Sequence, residues 1–215
     1  MSLYENYKKI TSEIAEAKSK YRKETDIVRL MAVTKTIPPE IVNEAISYGI
    51  DLLGENRVQE YLSKKDFYSP AEVHFIGSLQ TNKVKKIIAG VTLIHSLDSK
   101  NLALEINKQQ KKTDVLIELN IGEETTKSGV SIDNYNELAD LISSLENLSL
   151  RGIMVIPPPG NSDLYFGKTR EFFEKNKTSP SFDTLSMGMS HDYKNAVKYG
   201  SNILRVGSAL FGARL

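Results

Sequence analysis

Lys35 closes an apolar run, LMAVT (30–34), and is followed by TIPPE (36–40), where two prolines can open a helix. A strand-end amine that is partly desolvated gives up some of its charge and becomes a nucleophile for an aldehyde carbonyl, the chemistry of a Schiff base. Taken alone, it is also an ordinary solvated lysine in a chain that holds 28 Lys and Arg. The choice depends on what faces it.

Two C-terminal segments bear on that choice. SMGMS (186–190) and VGSALFG (206–212) are rich in Gly and Ser, so their backbone N–H groups can converge on an anion with no side chain in the way. The structural alternative makes Gly188 and Gly207 turn glycines and Ser190 the N-cap of a helix near Asp192. Arg205 lies within the apolar run ILRVG (203–207), and a charged residue in a buried strand needs a partner. That partner is either an acid at the end of the fold or the ring nitrogen of pyridoxal phosphate, which a permanent cation would keep unprotonated.

The remaining segments are less specific. GENRVQE (54–60) sets Asn56 and Gln59 at capping-box spacing. His74 alternates with Phe75 in VHFIG (73–77), the pattern of a satisfied core histidine before that of a general base. Lys83, Lys85 and Lys86 fit a solvated helix face. EETTKSG (123–129) brings Lys127 as a second possible amine, and MVIPPPG (154–160) stiffens the end of a strand with three prolines. With three histidines in no HxH or HExxH pattern and no cysteine, neither a metal site nor thiolate chemistry is expected.

These residues have to be positioned by a repeating pattern. Eight short apolar runs occur, at 30–34, 51–55, 73–77, 91–95, 114–121, 150–156, 183–187 and 203–207. Amphipathic stretches separate them, among them Pro39 to Tyr48, Thr81 to Ile88, Ser99 to Gln109, Ser131 to Leu145 and Tyr165 to Lys175. Parallel strands need crossover helices, and closure removes exposed edges, so the pattern predicts an α/β fold, a (β/α)8 TIM barrel. A doubly wound open sheet is the alternative, and in both the chemistry lies at the carboxyl ends of the strands. Ahead of the series, residues 2–22 carry apolar positions at helical spacing, with Ser2 and Glu5 as a capping box. One domain over 1–215 is expected, with an extra N-terminal helix at about 2–22 and a barrel at about 27–215.

Composition narrows the function classes. The charges, 28 Lys and Arg against 27 Asp and Glu, leave +1, which gives no support for a nucleic-acid or membrane partner. The N-terminus lacks the apolar core of a signal peptide, and the absence of cysteine fits a reducing compartment, so a cytoplasmic protein is expected.

Together AVTKTIPPE, GENRVQE, HFIGSLQTNK, ELNIGEETTKSG, LRGIMVIPPP, LSMGMSHDY and RVGSALFGAR resemble the pyridoxal phosphate homeostasis protein family, single-domain relatives of the alanine racemase N-terminal barrel. The resemblance runs from the first strand to the C-terminus in the expected order. It implies pyridoxal 5'-phosphate as cofactor, held by Lys35 as a covalent Schiff base. It also implies that Ser186, Gly188, Gly207 and Ser208 surround the phosphate, that Arg205 meets the ring nitrogen, and that Asn56 and Met154 lie beside the cofactor. His191 departs from the family pattern, which has an acidic or varied residue there.

The function this implies is intracellular pyridoxal phosphate and amino-acid homeostasis without catalysis, with no catalytic residue assigned and apo-enzymes dependent on the cofactor as possible recipients. Alanine racemase draws a catalytic tyrosine from an added β-domain and a second subunit, and no such domain follows these motifs, so a monomer is expected. An amino-acid racemase is the enzymatic alternative, and it needs a second acid or base across the ring. A Schiff-base aldolase without pyridoxal phosphate is the third reading.

Overall fold

The computed structural model describes residues 2–124, 127–177 and 179–212. The expected helix α1 runs over Leu3–Tyr21, and its capping box forms: Glu5 N–H donates to Ser2 Oγ at 3.2 Å and Ser2 N–H to Glu5 Oε2 at 2.7 Å. Its buried stripe, Asn6, Ile10, Ile14 and Ala17, repeats every three or four residues and packs on the barrel.

Eight parallel strands then close on themselves in sequence order: β1 Arg29–Val33, β2 Leu52–Glu55, β3 Glu72–Phe75, β4 Leu93–Leu97, β5 Thr113–Glu118, β6 Leu148–Met154, β7 Thr184–Met189 and β8 Ile203–Val206. β8 pairs with β1, with Met31 opposite Arg205, so no edge is left open. The helices between strands are α2 Pro39–Ser47, α3 Val58–Lys64, α4 Val84–Ile87, α5 Lys100–Asn107, α6 Tyr135–Ser144, α7 Ser162–Lys175, α8 Tyr193–Lys198 and, after β8, α9 Ser208–Phe211. All eight apolar runs are strands. The third crossover is shorter than its pattern implied, because Thr81–Lys83 is a 3₁₀ turn that leaves α4 a single turn. The last three residues of the expected barrel range, 213–215, lie outside the described residues.

Side-chain alternation along the strands produces two cores. Residues facing outward join the helices in one large cluster. Met31, Leu52, Leu93, Leu116, Met154 and Ile203 face inward and fill the barrel, which is therefore packed and not a pore. The same parity turns Val33 and Lys35 toward the C-terminal mouth. Among the described residues no helix is long and apolar enough to cross a membrane.

Candidate functional site

A cavity of about 270 Å3 opens at the C-terminal mouth, with Lys35, Asn56, Arg205, Gly207 and Ser208 in its wall. β1 and β8 are hydrogen-bonded neighbours, which brings the first and last functional segments of the sequence together. A larger recess of about 980 Å3 lies at the opposite mouth. Its arginines are engaged with acids there, Arg29 with Glu72 and Asp51 and Arg151 with Asp114 and Asp183, whereas the smaller cavity gathers an amine, an arginine and hydroxyls.

The turn that carries Lys35 is braced from outside the barrel. Thr36 adopts a positive φ of 66°, a conformation L-residues seldom take without support. Support comes from Glu60, which accepts from Thr36 N–H and pairs with Lys64, whose ammonium also reaches the Thr34 carbonyl at 3.2 Å. Beneath it, buried Glu55 accepts from the Thr34 hydroxyl at 2.6 Å and the Tyr68 hydroxyl at 2.5 Å. Burial raises the Glu55 carboxyl above its ordinary range. Lys35 is half-buried on this turn.

Arg205 is 4% exposed, and no ion pair is found for it among the described residues; Nη1 donates to Ser186 Oγ at 2.7 Å and Nη2 to the Val155 carbonyl at 2.9 Å. Burial lowers its pKa to about 10, which leaves it charged at neutral pH. Glu118, buried at the end of β5, is pushed up to about 7 by burial and by the charge of Asp98, with Arg205 pulling the other way. Motif spacing gave no sign of Glu118; its position as the last residue of an inward-facing row was the available signal.

Ser190 joins the two glycine-rich loops. Its Oγ accepts from Gly207 N–H at 3.2 Å and Ala209 N–H at 3.1 Å, so it caps α9 and does not cap α8, which starts after Asp192. With both acceptor sites used, its own proton remains to donate. Asn56 likewise differs from its helix-start reading. α3 has Arg57 as N-cap with no side-chain cap bond, and Asn56 Oδ1 is buried at the cavity without a hydrogen-bond partner. A buried orphan acceptor is costly and fits a site completed by a ligand.

Of the eight residues expected around the cofactor, five thus line the cavity and three do not. Ser186 is fully buried beneath Arg205, Met154 belongs to the inner core, and Gly188 packs against α8. His191 is in the cavity wall. Lys127 pairs with Glu124 at 2.6 Å beside a separate recess near Asp98, away from Lys35. His74 is a satisfied interior histidine, as its alternation implied, with His95 and Glu72 as partners.

The family model for the alanine racemase N-terminal domain matches residues 6–215. The chain is 41% identical to a pyridoxal phosphate homeostasis protein of Aquifex aeolicus, with 100% of this chain and 99% of that one covered. A solved structure of PipY from Synechococcus elongatus with pyridoxal phosphate bound is similar at a TM-score of 0.82 and 30% identity, covering 98% of this chain and 100% of that one. An alanine racemase from Corynebacterium glutamicum shares the fold at a TM-score of 0.67 and 14% identity, covering 94% of this chain and 61% of that one.

Proposed function

Since the chain belongs to the alanine racemase N-terminal domain family and, within it, to the pyridoxal phosphate homeostasis proteins, we propose that its C-terminal cavity holds pyridoxal 5'-phosphate, with Lys35 joined to it as a Schiff base. The observation that carries this reading is the convergence of Lys35, Arg205, Asn56 and the Gly207–Ser208 turn on one cavity of about 270 Å3. Bound there, pyridoxal phosphate supplies an aldehyde carbon to which an amine adds and an electron-withdrawing ring.

Each residue then has a task. Lys35, on a turn fixed by Glu60 and Glu55, provides the amine. Ser208 and the Ser190 hydroxyl provide donors for the phosphate, with Ser190 holding the two loops at a fixed spacing through the N–H groups of Gly207 and Ala209. Arg205 stays charged and holds protons away from the ring nitrogen, which weakens the ring as an electron sink. Asn56 Oδ1 gains a partner it otherwise lacks. Ser186, Gly188 and Met154 act one layer down, on Arg205, on the backbone and on the packing of the floor. α1 joins this unit through Asn6, whose side chain donates to the Leu210 carbonyl at 2.9 Å, so leader helix and barrel form one cofactor-binding body.

A site that weakens the ring as an electron sink suits keeping the cofactor more than using it. The function is reversible storage of pyridoxal phosphate within intracellular cofactor and amino-acid homeostasis, with apo-enzymes as recipients and no turnover of its own. The test is retention of visible absorbance after incubation with pyridoxal phosphate and desalting. Wild type stays yellow and Lys35→Ala does not; equal colour in both refutes the assignment. Sustained exchange of the α-hydrogen of any single L-amino acid by the loaded protein would instead establish the racemase reading.

A further inference from the structure

Arg205 stands at one end of a line of polar side chains that crosses the barrel interior. Nη1 donates to Ser186 Oγ at 2.7 Å, Ser186 Oγ lies 3.0 Å from His95 Nδ1, His95 Nε2 lies 2.9 Å from His74 Nδ1, and His74 Nε2 lies 2.8 Å from Glu72 Oε1. The members come from β8, β7, β4 and β3, so barrel closure brings them together. Ser186 and His95 are fully buried and His74 is 2% exposed, while Glu72 opens onto the recess at the opposite mouth.

The direction of every bond follows from what each group can give. Arginine only donates, so Ser186 Oγ accepts from it, and the direction of the remaining bonds is set from the Glu72 end. A neutral imidazole that accepts at Nδ1 carries its proton on Nε2, which donates to His74 Nδ1. By the same rule His74 donates from Nε2 to Glu72, whose carboxylate can only accept and also takes bonds from Arg29 and Thr92. The reverse polarity would require a protonated Glu72, a carboxyl held down at about 2 by the His74 bond and then by Arg29, so the Ser186 proton goes to His95 Nδ1.

Charge explains why such a line is useful. Both imidazoles are kept neutral: burial lowers His74 against the pull of Glu72, with Arg29 and Asp114 also facing it, and drives His95 well below its ordinary value, with His74 and Arg205 facing it. A carboxylate in place of Ser186 would also hold the guanidinium, but it would cancel its charge. Here the carboxylate at the end of the line is three side chains removed.

We propose that Ser186, His95 and His74 form a one-way hydrogen-bond relay anchored on Glu72, in which His95 is the positioning residue that fixes Arg205 toward the cofactor ring without neutralising it. The proposal rests on the cofactor reading above.

Two measurements test it. In side-chain proton–nitrogen correlation spectra of the wild-type chain without cofactor, His74 and His95 appear as neutral Nε2–H tautomers near neutral pH, and His95 does not titrate in mild acid. An Nδ1–H tautomer at either, or ordinary titration of His95, overturns the relay whatever the chain binds, and this arm stands even if a variant fails to fold. In the second, affinity for pyridoxal phosphate and the visible band are compared in wild type, His95→Leu and His95→Asn. His95→Leu binds about tenfold more weakly, the order expected for one lost bond in a buried charged network, and its band shifts. His95→Asn, which keeps an acceptor near the Nδ1 position, recovers most of both. Identical affinity and spectrum in wild type and His95→Leu overturn the relay alone; a wild-type chain that binds no pyridoxal phosphate overturns the cofactor reading and this proposal together.

Discussion

Gly188→Ala and Gly207→Ala should fail in different ways, though both glycines lie in the segments that the sequence links to phosphate. Gly188 has φ +91°, and an added Cβ would lie 2.4 Å from Ala196 Cβ and 3.2 Å from Tyr193 Cα, against the backbone of α8. The left-handed conformation costs alanine about 1–2 kcal/mol. Overpacking adds about 1–3 kcal/mol, and the stiffer unfolded chain returns about 0.4–1 kcal/mol. The net loss is about 1–5 kcal/mol, or roughly 2–20 °C in Tm for a chain of this size. At Gly207 φ is −116° and the nearest atom to an added Cβ is Val33 Cβ at 3.4 Å, an ordinary contact. Stability of that variant should stay within about 0.5 kcal/mol of wild type. Its methyl group occupies the cavity wall, so affinity for pyridoxal phosphate falls instead. Denaturant unfolding of the cofactor-free variants, followed by titration with pyridoxal phosphate, separates the two. A Gly188→Ala loss below about 1 kcal/mol, or equal destabilisation by both variants, would refute the reasoning, which puts the packing term at about 1 kcal/mol or more.

Met154→Ala should cost about 2–5 kcal/mol in denaturant unfolding, because the side chain is 1% exposed inside the barrel and its removal leaves a cavity. Ser190→Ala strands two backbone donors at the start of α9 and should cost about 1–2 kcal/mol while weakening cofactor binding; unchanged Tm and affinity would remove Ser190 from the account. Glu72→Gln tests the foot of the relay by pH. Its carboxyl is held at about 2 against an ordinary 4.5, chiefly by the His74 bond. Counted in full that is about 3 kcal/mol, and exposure of about a third of the side chain reduces it to about 1 kcal/mol. Because the folded-state value is depressed, this stabilisation is present above about 4.5 and fades as pH falls toward about 2. The deficit of Glu72→Gln should therefore shrink across that window, and a constant deficit would contradict it.

The barrel was legible because its signals are local. Each buried strand is a short apolar run and each crossover an amphipathic stretch, so LMAVT and ILRVG could be recognised without their neighbours. The position of Lys35 at the C-terminal mouth was legible for the same reason, as a motif beside a strand. The parts of the site that depend on closure were not. Ser186 and His95 are 91 positions apart, and His95 and His74 are 21 apart, so no period in the sequence relates them. Ser190 illustrates the limit: two residues before Asp192 it has the look of a local cap, and only the approach of β8 to β7 turns its hydroxyl toward Gly207 and Ala209. Ser186 and Gly188 were expected around the phosphate; both lie in β7, where alternation and the backbone at Gly188 set them beneath the cavity floor.

The central claim is that Lys35 is the covalent anchor. Borohydride reduction of the pyridoxal phosphate-loaded chain, proteolysis and peptide mass spectrometry measure it directly. The account predicts one pyridoxyl phosphate adduct per chain, on the peptide carrying Lys35. An adduct that sits on Lys127 or is spread over surface lysines, or the absence of any adduct from a chain saturated with the cofactor, would contradict it.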